Sequence, residues 1–257
     1  MQKIILAESR RFDYGVHTHY QVSLASSLSE IVEAQQFRFR IFAEEMGAKV
    51  PGAEQGLDAD RFDDFCSHLL VRCNGQLVGY TRVLTCGQAR LAGGFYSETE
   101  FDLRNILDQR GRFMEIGRTC IHPDHRNGTT ISLLWSGLAR FMSDNEIDYL
   151  MGCASLPVEG NGETTSAAVS RLREKHFSPT TLRVFPKTCL PRPSSSNVAA
   201  SALPPLLKGY LRVGAKICGD PHWDKEFGVA DLFILLNRAD LDNRYARHFV
   251  DRGRKAA

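Results

Sequence analysis

The dipeptide Asn74-Gly75 constrains this chain more than any other short stretch. HLLVRC precedes it and QLVGYTRVL follows it, two β-prone runs joined by residues that accept the positive φ values of a tight hairpin turn. Antiparallel strands are expected on either side. Upstream, residues 30–46 (EIVEAQQFRFRIFAEEM) set Ile31, Ala34, Phe37, Ile41 and Phe42 on one stripe with charges elsewhere, which predicts an amphipathic helix. The intervening residues 47–64 read as an acidic loop carrying Glu54, Asp58, Asp60, Asp63 and Asp64.

Beyond the hairpin, residues 112–121 (RFMEIGRTCI) predict a strand, HPDHRNG a loop, and residues 129–143 a helix that turns Ile131, Leu134, Trp135, Leu138 and Phe141 or Met142 inward. A strand at DYLMGCASL and a helix over 163–176 repeat the alternation, and VADLFILL supplies a late strand. This pattern favours an α/β sheet flanked by helices. Residues 186–205, rich in Pro, Ser and Ala, predict an extended or mobile loop, and the basic end, 243–257, a frayed tail.

With 257 residues, 43% of them hydrophobic, the chain has material for one large core without disulfides or metals, so a single domain over 1–257 is expected. The net charge of +2 gives no reason to expect a nucleic-acid partner. Seven scattered cysteines, none in CxxC, read as free thiols in a reducing cytoplasm. Ile4–Ala7 is too short for a signal peptide and Leu232–Leu236 too short to span a bilayer. A soluble cytoplasmic protein is expected, with a peripheral inner-membrane contact left open.

The loop at residues 122–130 has the makings of an acyl-donor site, because amides opening a helix have no intrahelical partner and hold the phosphate of a pantetheine arm. An amine attacking a thioester needs a neutral nitrogen, a polarised carbonyl and their alignment. MEIGRTCIHPDHRNGTTISLLW, together with FRFRIFAEEMG, FDDFCSHLLV and LLKGYLRVGAKICGDPHWDKEFGVADLFILL, resembles the ornithine N-acyltransferases of ornithine-lipid synthesis and their hemolysin-named relatives. The resemblance covers roughly residues 30–236. It implies an α/β, GNAT-like fold with a mostly antiparallel sheet, related to the acyl-homoserine-lactone synthases. It also implies transfer of a (3-hydroxy)fatty acyl group from acyl carrier protein to the α-amine of L-ornithine, with no bound cofactor. The co-substrate is the carrier's phosphopantetheine thioester, and a CoA thioester is the alternative.

Two departures bear on that choice. The general acetyl-CoA pattern Q/R-x-x-G-x-G/A would read His125, Gly128, Thr130 here, which weakens pyrophosphate cradling and suits a carrier with a single phosphate. Lactone synthases place N-terminal aromatics, Trp included, around their nucleoside, and this chain has no Trp before Trp135.

In the resembled families the strand that matches β-prone 112–121 carries a Glu and an Arg beside the thioester. That makes Glu115 a candidate proton acceptor and Arg118 an electrostatic orienter, with a structural ion pair as the other reading. Gly117 between them is where a bulge would re-aim one side chain. Asp60 and Asp63 would neutralise ornithine's ammonium groups or form a solvated loop, and Arg82 would fork onto a carboxylate or pair with that loop. Ile121, His122, Arg126, Asn127, Gly128 and Thr129 form the candidate donor loop. His122 and His125 lack a further ligand at metal-binding spacing, so no metal site is expected. Cys120 has no legible triad around it. Lys208, Arg212 and Lys216, four apart on an expected helix, form a basic stripe for an acidic carrier protein, an anionic membrane or plain solvent. Three other readings stand beside this one: a CoA-dependent acyltransferase for another amine, an enzyme like the acyl-homoserine-lactone synthases, and a non-enzymatic carrier-binding or hemolysin-like protein.

Overall fold

The computed structural model describes residues 3–13, 16–126, 128–158, 162–191 and 200–240. Its contacts group into two compact units. The expected frayed tail at 243–257 lies outside the described residues, as do positions 192–199 of the expected loop.

In the first unit, strands β1 (Ile5–Asp13), β2 (Val16–Leu24), β3 (Ser67–Cys73) and β4 (Gln76–Thr85) form successive antiparallel pairs, and β6 (Phe113–Ile121), of which residues 116–121 belong to this unit, lies next to β4. The turn between β3 and β4 has positive φ at both Asn74 (49°) and Gly75 (87°), as the dipeptide requires. β1 and β2 have no counterpart in the sequence reading. β1 is an edge strand whose sequence, ILAESRRFD, is mostly polar and gives little periodic signal.

Helix α1 (Leu28–Phe39) starts where Ser27 accepts the Glu30 N–H, and Glu30 returns the bond to the Ser26 N–H at 2.8 Å. It continues as a π-helical segment, Arg40–Glu45, rather than as α-helix to residue 46. Ala34, Phe37 and Ile41 pack with Leu70, Leu77, Tyr80 and Cys120 in one buried cluster. Each fully buried side chain of this size contributes about 1.5–3 kcal/mol. A short helix α2 (Cys86–Ala92) follows β4. Helix α4 (Gly128–Asp144) buries Leu134, Trp135, Leu138, Phe141 and Met142, four residues apart or closer, along the expected face. Gly137 lets it approach the sheet: a Cβ there would stand 2.6 Å from Val22 Cγ1.

The second unit holds β7 (Tyr149–Pro157), which pairs antiparallel with β11 (Val229–Asn237), and β11 in turn pairs with β10 (His222–Asp224) and β9 (Lys216–Ile217). Helix α5 (Glu163–His176) has the bounds its sequence predicts. β5 (Phe101–Asp102) pairs with β8 (Phe185–Pro186), and α3 (Arg104–Leu107) follows β5. This corrects the start of the expected loop at 186–205. Pro186 lies in a strand, the Lys187 N–H bonds the Glu100 carbonyl at 2.7 Å, and Thr188 accepts from Trp223 N–H at 2.9 Å. Helix α6 (Pro205–Arg212) ends at Val213 and Gly214, where φ is +100°. The basic stripe is corrected accordingly: Lys208 and Arg212 are exposed on α6, but Lys216 belongs to β9.

Candidate active site

Strand β6 carries both residues that the resemblance singles out, and its backbone is unusual between them and beyond. Arg118, not Gly117, takes the left-handed conformation, with φ +52°. A non-glycine residue there costs on the order of 1–2 kcal/mol and persists when its surroundings dictate it. What dictates it is charge. Arg118 Nε lies 3.2 Å from Asp58 Oδ2 and its Nη2 lies 3.4 Å from Asp60 Oδ2.

Those contacts belong to a buried lattice in the first unit. Arg38, fully buried on α1, bonds Asp58 Oδ2 at 2.9 Å and Asp63 Oδ1 at 2.7 Å. Arg82 on β4 bonds Asp60 Oδ1 at 2.6 Å and Asp63 Oδ1 at 2.9 Å. Among the described residues, three guanidinium groups thus face three carboxylates. Burial works to raise the Asp63 pKa, but Arg38 and Arg82 outweigh it and hold the carboxyl well below its ordinary value. Asp60 is likewise lowered, with burial opposed mainly by Arg82.

A neutral arm extends from the lattice. His68 Nε2 lies 3.0 Å from the Asp63 carbonyl, which only accepts, so Nε2 carries the proton and Nδ1 accepts from Tyr80 O–H at 2.6 Å. Tyr80 in turn accepts from Arg38 at 3.3 Å. Burial pushes the His68 pKa down, which keeps the ring in this neutral form.

Glu115 is 3% exposed and belongs to the second unit. Its carboxylate sits against the first turn of a 3-10 helix, Tyr96–Thr99. It accepts the Tyr96 N–H at 2.6 Å, the Ser97 N–H at 2.7 Å and the Ser97 hydroxyl. Two orphan amides and one hydroxyl therefore fix its position. The same Ser97 Oγ lies 3.3 Å from Cys153 Sγ, and Cys153 Sγ lies 3.2 Å from Glu100 Oε2. Glu100, Asp224 and Asp231 converge, with one oxygen of each within 4.8 Å of the others. Burial, then the Asp231 charge, pushes the Glu100 carboxyl up to about 8. Burial also raises Cys153 well above an ordinary thiol, so it keeps its proton.

With this geometry in view, the comparisons are direct. Residues 37–136 match the acetyltransferase (GNAT) domain family. A protein of Brucella abortus (strain 2308) named L-ornithine N(alpha)-acyltransferase is 36% identical over 89% of this chain and 88% of its own. A protein of the same name from Rhizobium meliloti (strain 1021) is 34% identical over 93% and 88%. The chain belongs to the L-ornithine N(alpha)-acyltransferase family. Two solved structures share its fold at a TM-score of 0.52. One is FeeM, an N-acyl amino acid synthase from uncultured soil microbes (11% identity, 97% of this chain, 96% of that one), and the other the AHL synthase LasI (15%, 92% and 96%). The GNAT fold and its mostly antiparallel sheet flanked by helices are as the sequence implied.

In this N-acyltransferase the loop between β6 and α4 is locally well tied. His122 accepts the Asp124 N–H at 3.3 Å and caps the turn Pro123–His125. Arg126 forks onto Glu45 at 2.6 and 2.7 Å and donates to the Ile121 carbonyl at 3.2 Å. Gly128 and Thr129 open α4, and Asn127 lies outside the described residues. Burial pushes the Cys120 thiol far up, which makes it a core side chain rather than a nucleophile.

Sequence reasoning brought Asp60, Asp63, Arg82 and Arg118 forward, and the structure gathers these four. It missed Arg38, which sits four residues after Ala34 and three before Ile41, squarely on the apolar stripe; a charge at that register was the available signal. It also missed Ser97, Cys153, Glu100 and Asp231, which come together only through the sheet and carry no local pattern.

Proposed function

We propose that this acyltransferase moves a fatty acyl group, 3-hydroxyacyl included, from acyl carrier protein to the α-amine of L-ornithine. Acyl transfer to ornithine rests on the shared name of relatives 36% and 34% identical over about nine tenths of the chain, and the carrier donor on His125 and Thr130 standing where the general acetyl-CoA pattern has Gln or Arg and Gly or Ala. The neutral ornithine nitrogen attacks the thioester carbonyl carbon, the C–S bond breaks, and the carrier's sulfur leaves as a thiolate that ends with the proton the nitrogen gives up. Glu115 takes the nitrogen's surplus proton, directly or through water; its fixed, buried carboxylate suits that task because no reorganisation is needed at the moment of transfer.

Arg118 orients the reacting groups electrostatically, held by Asp58 and Asp60. Asp60, Asp63 and Arg82 bind the zwitterionic amino acid by exchanging an internal ion pair for one with substrate, at little net cost in charge burial. The amides of Gly128 and Thr129, with Ile121, His122, Arg126 and Asn127, receive the pantetheine phosphate. Lys208, Arg212 and Lys216 attract the acidic carrier. A lipid product would be delivered by peripheral contact with the inner membrane; no helix among the described residues is long and apolar enough to cross a membrane.

The test is incubation of purified protein with ornithine and either 3-hydroxyacyl carrier protein or acetyl-CoA, read by mass spectrometry. N-acylornithine from the carrier substrate is expected. Turnover with acetyl-CoA and none with the carrier thioester would overturn the donor assignment. Glu115→Gln is expected to lower kcat by about 10²–10⁴-fold with the fold intact.

A further inference from the structure

The role given to Glu115 leaves unexplained why a half-buried thiol and a buried carboxyl stand in sequence behind it. Three contacts run in sequence within the second unit. Ser97 O–H donates to Glu115, Ser97 Oγ and Cys153 Sγ are 3.3 Å apart, and Cys153 Sγ and Glu100 Oε2 are 3.2 Å apart. All four side chains come from different places: β6, the 3-10 helix, β7, and the residue just past that helix. Their alignment is a tertiary feature and no local motif predicts it.

We infer that Ser97, Cys153 and Glu100 are positioning residues for acyl transfer, a hydrogen-bonded relay that orients the Glu115 carboxylate. The inference rests on the reading of Glu115 as proton acceptor. Donor directions follow from bonding capacity. Ser97 spends its one proton on Glu115, so its contact with Cys153 is made by the thiol S–H. The thiol, having spent its proton, accepts from Glu100 only if Glu100 carries one. With Glu100 ionised the thiol donates to its Oε2; protonation of Glu100 reverses that contact and sets every bond in one direction, Glu100 to Cys153 to Ser97 to Glu115, and such chains strengthen each member.

The surroundings of Glu100 favour that state. Asp231 faces it from β11 and Asp224 from β10, while the bonds from Cys153 on β7 and from the Tyr96 side chain favour the ionised form and are outweighed by burial and the aspartates; His222 bonds its backbone. Burial and the two aspartates disfavour a further negative charge. On ionisation of Glu100 the Cys153 proton turns toward it, and Ser97 Oγ loses its donor. Turnover then falls on the alkaline side.

The experiment measures kcat and KM against pH for the full chain and for Ser97→Ala, Cys153→Ala, Cys153→Ser, Glu100→Gln and Glu115→Gln. Ser97→Ala keeps the backbone N–H bond to Glu115 and removes only the hydroxyl. Ser97→Ala and Cys153→Ala are expected to lower kcat about tenfold with both KM values unchanged, the size of one lost hydrogen bond expressed in the rate. Cys153→Ser, whose hydroxyl still donates and accepts, restores most of the loss. Glu100→Gln, which donates at every pH, flattens the alkaline limb.

If Ser97→Ala and Cys153→Ala keep the parent kcat at all pH values while Glu115→Gln is impaired, the relay is wrong and the role of Glu115 stands. Full turnover by Glu115→Gln removes both. Should the alanine variants not fold, an unchanged alkaline limb in Glu100→Gln overturns the relay by itself.

Discussion

At the scale of single residues, the costly feature of this protein is Arg38. Its side chain is wholly buried, and two carboxylates are arranged around it. Replacing such a pair by apolar groups is often neutral, but removing one partner strands the other charge. Arg38→Leu is therefore expected to cost about 3–5 kcal/mol, read from the shift in a urea unfolding midpoint. Acid acts on the same lattice. Asp60 and Asp63 have folded pKa values below their ordinary value, so their contribution is complete above about pH 4 and is lost as pH falls toward those lowered values. Glu100 has the opposite sign. Its folded pKa, about 8, exceeds its ordinary 4.5, so the folded state binds more protons in that interval and stability declines as pH rises through it. Thermal melting between pH 5 and 8 should show a smaller decline for Glu100→Gln than for the parent.

At the scale of elements, the structure uses two departures from regularity to hold its charged residues. The π-helical segment 40–45 follows directly on the turn that bears Arg38, and the left-handed turn at Arg118 interrupts β6. Both were invisible to periodicity, which reports only the average geometry of a segment. By contrast the contact of α4 with the sheet is conventional and depends on one missing side chain. Gly137→Ala ordinarily favours a helix by about 1 kcal/mol, yet here the new Cβ meets the branched side chain of Val22 at 2.6 Å. A net destabilisation of about 1–3 kcal/mol is expected from overpacking, measured by the same unfolding assay. No change or a gain would show that the sheet yields at that point.

At the scale of the whole molecule, a net charge of only +2 means that the carrier docking proposed above would have to rest on local charge. The exposed Lys208 and Arg212 on α6 and the exposed Lys216 on β9 are the side chains proposed for it. Lys208→Glu with Arg212→Glu should raise KM for the acyl carrier protein thioester several-fold at low salt, with the ornithine KM unchanged, and the difference should shrink as salt rises. An unaltered KM for the carrier would remove these residues from docking.

The hairpin at Asn74-Gly75, the faces of α1 and α4, the bounds of α5 and the family itself were all determined by sequence, because each rests on neighbours a few residues apart or on a contiguous motif. Tertiary structure alone decided that Arg38 is an interior cation, that Asp58, Asp60 and Asp63 are paired rather than solvated, and that Ser97, Cys153 and Glu100 stand behind Glu115. A charge's partner, unlike a helix's face, is a property of distant chain segments brought together, and the free energy that places it is settled only when burial makes an unmatched charge intolerable.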